Sequence, residues 1–148
     1  MMMRRRLFFF TVVGFGLITA LSGCNGRDPE VTLARSINEL ETAIQSKDAS
    51  HATDFLHDQF TAQSTNNREW AWQTMKASFM MYQNVNVTVL NRRTTIDAHN
   101  KTRATVEADV FLAGIESTFP DKMGLYHVSS EWRRDGNQWK MITLKWEQ

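Results

Sequence analysis

Only one cysteine, Cys24, stands in the 148 residues, so no intrachain disulfide and no cysteine-based zinc cluster can form. Proline occurs twice, at Pro29 and Pro120. Charge of either sign is not in surplus: 17 basic side chains face 16 acidic ones, a formal net of +1. Arg4, Arg5 and Arg6 fall in an N-terminal segment read below as removable, which leaves 14 basic side chains against 16, a net of about −2. That balance lacks the electrostatic footprint of a nucleic-acid binder. The one long apolar run, Leu7 to Leu21, is too short for a comfortable membrane-spanning helix. No two of the four histidines have the spacing of a zinc-binding helix motif, so neither metal nor cofactor is expected. His51 and His57 are six apart and read as polar residues at a helix start and end, and His99 as a turn residue.

What is present begins with a basic head, Met1–Arg6, followed by the apolar core and then Leu21-Ser22-Gly23-Cys24. Basic head, apolar core and small-residue cleavage site occur in the order of a secretory signal. The last four residues resemble a bacterial lipobox. The resemblance implies a signal peptide over residues 1–23, cleavage after Gly23 and acylation (palmitate among the chains) of Cys24, whose thiolate is the nucleophile the lipid needs. Each buried methylene contributes about 0.8 kcal/mol, so several acyl chains anchor firmly. Asn25 rather than Asp after the cysteine, by analogy with enterobacterial sorting, directs the expectation to the outer membrane, facing the periplasm. Residues 24–29 form the lipidated cysteine and a polar tether, and residues 30–148 the folded domain.

From Glu30 the apolar period is helical. Leu33, Ile37, Leu40 and Ile44 define a helix from about Pro29 to Ser46, with Pro29 in its first turn. Lys47-Asp48-Ala49-Ser50 is a break in which Asp48 or Ser50 can cap a second helix carrying Ala52, Phe55 and Leu56 and ending near Asp58. Gln59 to Ser64 is expected as a short strand, and Thr65-Asn66-Asn67 as a loop that supplies a cap. Arg68 to Tyr82 reads as a third helix with Trp72, Met75, Phe79 and Tyr82 inward, widened by Met80 and Met81.

Past Asn84 the period drops to two. Val85, Val87 and Val89 open a strand that runs through Ile96, Asp97-Ala98-His99-Asn100 turns, and Thr102 to Ala113 returns with Ala104, Val106, Ala108, Val110 and Leu112 on one face. Gly114 to Gly124 is a loop. Leu125 to Gln148 then reads as a hairpin about Asp135-Gly136, both turn positions tolerating a positive φ. Tyr126, Val128, Ser130 and Trp132 share a face; Ile142, Leu144 and Trp146 share another, with Trp139 and Met141 opposite them. The expected class is α+β: three N-terminal helices packed on a four-stranded antiparallel sheet, with a short fifth strand.

Three stretches resemble the nuclear transport factor 2-like superfamily, the cystatin-like α+β roll that includes cyclase-like and isomerase-like proteins. They are Gln45–Asp48 with Ala52–Phe60, the third helix leading into Val85-Asn86-Val87, and the closing Trp132–Met141. The resemblance covers residues 30–147. It implies a bent, cone-shaped sheet whose concave face encloses a pocket with the helices, and a homodimer through the sheet. In such a superfamily the fold does not fix the activity.

The residues expected to line that pocket are Trp72, Met75, Phe79, Val106, Ala108, Val110, Tyr126, Val128, Ser130 and Trp132. They are apolar apart from Tyr126 and Ser130, while Glu107, Asp109, His127 and Glu131 alternate onto the opposite face. Arg92-Arg93 and Arg133-Arg134 read as solvated strand ends. The pattern favours a non-catalytic module for a small apolar ligand or an envelope partner. An isomerase- or cyclase-type enzyme using Tyr126 with a carboxylate such as Asp109 is the alternative, and a structural dimer whose pocket is filled by its own side chains is a third.

Overall fold

The structure is a computed structural model that describes residues 28–114 and 124–148. The leader, Cys24, the tether up to Arg27 and the Pro120 loop lie outside the described residues. Helix α1 (Pro29–Gln45) starts where Asp28 Oδ1 accepts the Glu30 amide at 2.9 Å and buries Leu33, Ile37, Leu40 and Ala43. It ends in a Schellman arrangement: Lys47 N–H donates to Ile44 O, Asp48 N–H donates to Ala43 O, and Lys47 stands at φ 59°. Helix α2 (Ala49–Asp54) is capped by Asp48, whose Oδ1 accepts the His51 amide at 2.9 Å.

The second helix stops four residues earlier than expected. Phe55 and Leu56 are buried at the junction, and strand β1 (Leu56–Ala62) begins at once. Strand β2 (Asn66–Asn67) folds back on it, and Asn67 caps helix α3 (Arg68–Met81). Strands β3 (Val85–Ile96), β4 (Arg103–Gly114), β5 (Gly124–Asp135) and β6 (Gln138–Glu147) complete one sheet in the order β2-β1-β6-β5-β4-β3. The expected four antiparallel strands with a short fifth are therefore six in a mixed sheet. The difference arises because β1 pairs parallel with β6, from Leu56↔Met141 to Ala62↔Leu144, a contact of long sequence separation that no local pattern announces. Met80 and Met81 are exposed and do not widen the inward face of α3.

Two further corrections concern register. The β5–β6 turn pairs Asp135 with Gln138, so its central residues are Gly136 and Asn137, with Gly136 at φ 60°. Glycine in the first central position is the demand of a type II′ turn. Further along, Glu131↔Thr143 is followed by Trp132↔Met141, which leaves Ile142 as a bulge. One extra residue reverses the alternation. Leu144 and Trp146 thus share the inward face with Trp139 and Met141 instead of opposing them. A second bulge at Leu90 lies between Val89↔Val110 and Asn91↔Asp109.

Helix α1 lies over β3 and β6. Trp139, bonded to Thr32 and Ser36 in the N-terminal half of α1, is among the most buried side chains of the core, with Phe55, Leu33 and Trp132. Trp139 Nε1–H donates to Thr32 Oγ1 at 2.9 Å, and Trp132 Nε1–H donates to Ser130 Oγ, which in turn donates to Val106 O. Both buried indoles therefore retain a polar partner, and among the described residues no buried side-chain N or O atom lacks one.

Candidate functional site

Burial falls in one direction along the inward faces of β4, β5 and β6. At the end near the β5–β6 turn, Ala104, Val106, Ser130, Trp132, Trp139 and Met141 are buried. Further along the same strands, Ala108, Val110, Val128, Tyr126, Leu144 and Trp146 are half-buried, and so are Val85, Val87 and Val89 of β3. Helix α3 follows the same gradient, from Ala71 to half-buried Met75 and Phe79, while α1 stays buried from Leu33 to Ala43 and only Ile44 at its end is half-buried. The register places Val89, Val110 and Tyr126 in one cross-strand row, and Ala108, Val128 and Trp146 in the next. The result is a core shut at one end and an apolar mouth at the other.

Tyr126 owes its position to Gly124, two residues before it on the same face. A Cβ on Gly124 would meet Tyr126 Cε2 at 2.8 Å, Cζ at 3.0 Å and the hydroxyl oxygen at 3.1 Å. The ring thus lies over a residue that must lack a side chain. The phenol brings a polar tip to an otherwise apolar lining.

Of the expected lining residues, Met75, Phe79, Ala108, Val110, Tyr126 and Val128 fall in the half-buried half. Val106, Ser130 and Trp132, at 5%, 4% and 2% exposed, belong to the closed core and not to the mouth. Trp72 borders a different cleft, on the outer side of α2 and α3, of about 520 Å³ and shared with Ser50, Thr53, Asp54, Asp58, Asn67, Arg68 and Glu69. Lys76 Nζ stands 4.3 Å from the Trp72 ring centre there, and Arg68 donates to Leu56 O and Thr53 O. We take the mouth rather than this cleft as the site. Arg68, the cation that lines the cleft, is committed to backbone carbonyls, Lys76 stands over the Trp72 ring, and the lining of the mouth is apolar.

The acid–base candidates are on the outer face. Asp109 pairs directly with His127 in the register, and Asp109 Oδ1 lies 2.9 Å from His127 Nδ1. The two side chains are 42% and 56% exposed. Hydrogen bonding to Asp109, more than any other influence, raises the His127 pKa above 6.5. Tyr126 and Asp109 therefore stand on opposite faces, which corrects the enzyme alternative built on that pair. Sequence reading missed a carboxylate on the helix-covered side, Glu41 of α1. Its Oε1 is 3.2 Å from Arg92 Nη1 of β3. Burial raises the Glu41 pKa, and Arg92 offsets that only in part. Arg92 is thus not a strand-end residue: it reaches α1 from the middle of β3. Gln45 Nε2 adds a bond to Val87 O at 3.3 Å, so α1 is laced to the free edge of the sheet. A glutamate at the flank of the apolar stripe was the available signal, but its partner 51 residues on was not.

Among the described residues no group of three metal-ligating side chains converges, and no helix is long and apolar enough to cross a membrane. No family model matches the chain, and no curated protein matches it in sequence. Solved structures do match. A nuclear transport factor 2-like protein of Pseudomonas putida KT2440 superposes with a TM-score of 0.64 at 13% identity, over 81% of this chain and 84% of its own. A Nostoc punctiforme protein with a cystatin-like fold gives 0.60 at 13%, over 80% and 89%. Bd1075 of Bdellovibrio bacteriovorus gives 0.67 at 14%, over 78% of this chain but only 40% of its own length.

Proposed function

From a chain with the nuclear transport factor 2-like, cystatin-like fold, we propose a lipid-anchored envelope protein whose domain binds a small apolar ligand without transforming it. The observation that carries the reading is the burial gradient: one end of the helix-covered face is closed by two tryptophans, and the other presents valines, Phe79, Met75 and Tyr126 half-open. A ligand covering about 200 Å² of such lining gains about 5 kcal/mol before association costs, enough for modest affinity. The Tyr126 hydroxyl supplies one orienting hydrogen bond. Support for a non-catalytic role comes from the outward placement of Asp109 and His127. Anchoring rests on the leader and Cys24, with the periplasmic face of the outer membrane as the destination.

Two measurements test this. N-phenyl-1-naphthylamine should brighten on binding the purified protein. Ala108→Trp, which fills the row between Arg92 and Val128, should abolish that signal while leaving the circular dichroism unchanged. Equal brightening in the variant would reject the mouth as the site. Radiolabelled palmitate should enter the wild-type protein and not Cys24→Ser.

A further inference from the structure

At the closed end of the sheet, three cations stand side by side on its outer face. Arg103 of β4 pairs with Arg133 of β5, and Arg133 pairs with Lys140 of β6. Arg103 and Arg133 are exposed and Lys140 is half-exposed. Directly opposed side chains on neighbouring strands stand about 5 Å apart, and like charges so placed destabilise a sheet. No ion pair among the described residues relieves them. Glu131 and Asp135 flank Arg133 on the same face of β5, and Asp97, which accepts the backbone amides of His99 and Asn100, also feels the charge of Arg103. None of these carboxylates closes an ion pair on the row, and Lys140 on β6 has no acidic residue beside it on its own strand. The three directly opposed cations are therefore open to an anion from outside.

The start of the domain says where that anion comes from. Thr32 is bonded to Trp139, the residue before Lys140, so the first turn of α1 is held at this same end. Cys24 precedes Asp28 by four residues, which span about 14 Å at most when fully extended. We infer that Arg103, Arg133 and Lys140 dock the domain on the anionic headgroups of the bilayer that holds its acyl chains. The inference rests on the anchoring proposed above. Charge and tether act together, since a lipid anchor and a basic patch reinforce each other. Each cation close to an anionic surface strengthens association by about fivefold, and three by on the order of 100-fold. Helix α1 has 17 residues, so its far end, where Gln45 meets Val87, lies up to about 25 Å further from a bilayer held at this end, and docking through the row with the tether at the same end keeps the mouth on the distal side.

The test uses the acylated protein reconstituted in vesicles. Because Cys24 is the only cysteine and its thiol is consumed by the lipid, a fluorophore can be placed at Asn137→Cys or, at the other end, at Gln83→Cys. Headgroup-attached quenchers should dim the Asn137→Cys label strongly in phosphatidylglycerol vesicles and weakly in phosphatidylcholine. The Gln83→Cys label should stay bright in both. Combining Arg103→Gln, Arg133→Gln and Lys140→Gln should reduce the phosphatidylglycerol quenching to the phosphatidylcholine level, as should salt near 1 M. Equal quenching in the two lipids, or an unchanged triple variant, overturns the docking. A purified protein whose mass lacks acyl groups overturns the anchoring instead. In that case flotation of the same protein with phosphatidylglycerol vesicles tests the row alone: flotation lost in the triple variant upholds it, and no flotation rejects it.

Discussion

Replacing Thr32 by Val removes the acceptor of a buried indole, together with the hydroxyl's own bonds to Pro29 O at 3.1 Å and Asp28 O at 3.2 Å in the first turn of α1. Trp139 is fully buried, and its Nε1–H donates to Thr32 Oγ1 at 2.9 Å. Valine has nearly the shape of threonine, so no cavity opens, and both are β-branched, so helix propensity barely changes. What remains is an indole N–H in the core with no acceptor, which costs about 1–3 kcal/mol. The Trp139 backbone amide keeps its longer bond to Ser36 Oγ at 3.4 Å, so the strand itself should stay in place. For a domain of this size the loss corresponds to a fall in Tm of roughly 4–12 °C. Urea unfolding followed by circular dichroism would measure it, with Trp139→Phe as the second arm of a double-mutant cycle. In the Trp139→Phe background the indole donor is gone while the first-turn bonds are lost all the same, so Thr32→Val should cost at least about 1 kcal/mol less there than in the wild type. An equal cost in both backgrounds would refute the reasoning, because the loss would then come from packing and the first-turn bonds and not from the stranded N–H.

Gly124→Ala drives a methyl into the Tyr126 ring, so it should destabilise by about 1–3 kcal/mol and weaken binding of the naphthylamine probe in a fluorescence titration. Ser64→Gly removes a side chain from a residue at φ 67° in the β1–β2 turn, and should raise stability in urea by roughly 0.5–1 kcal/mol. The His127 pKa is raised above 6.5, so its contribution to stability is fully present below 6.5 and is lost as pH rises through the higher folded value. Asp109→Asn should flatten that part of the urea-midpoint profile and return the His127 NMR titration towards its ordinary position. Arg133→Gln, which removes the middle cation and with it both oppositions in the row, should raise Tm slightly, by the equivalent of about 0.2–1 kcal/mol.

The elements visible in the sequence are those whose signal is local. The stripe Leu33, Ile37, Leu40 and Ile44, the caps Asp48 and Asn67, and the zigzag of Val85, Val87 and Val89 each declare themselves within a few residues. The readings that changed depended on distant partners. Ile142 has the composition of any strand residue, yet its bulge turns Leu144 and Trp146 inward, because β5 dictates the pairing. Leu56 to Asp58 continues a helical pattern and becomes strand because β6 offers a free edge. Gln63 and Ser64 hold positive φ without being glycine or asparagine; the Gln63 amide donates to Leu144 O and its side chain to Trp146 O. For the mouth, sequence named Ala108, Val110, Tyr126 and Val128 as inward, but depth along a strand is not a periodic property. Hence Val106, Ser130 and Trp132 were placed on the right face at the wrong depth. The latch between Glu41 and Arg92 was invisible for the same reason as the β1–β6 pair.

The strand numbered last along the chain is not at the edge of the sheet. With β6 between β1 and β5, the hydrogen-bonded ladder cannot be finished until β6 itself is made. Leu56 waits for Met141, and the loop closed between them is the longest that any strand pair of the sheet closes. Until then the chain holds hairpins but no completed sheet. A stop codon after Asn137 would remove the middle of the sheet and strand β1 and β2 with nothing to pair against except each other.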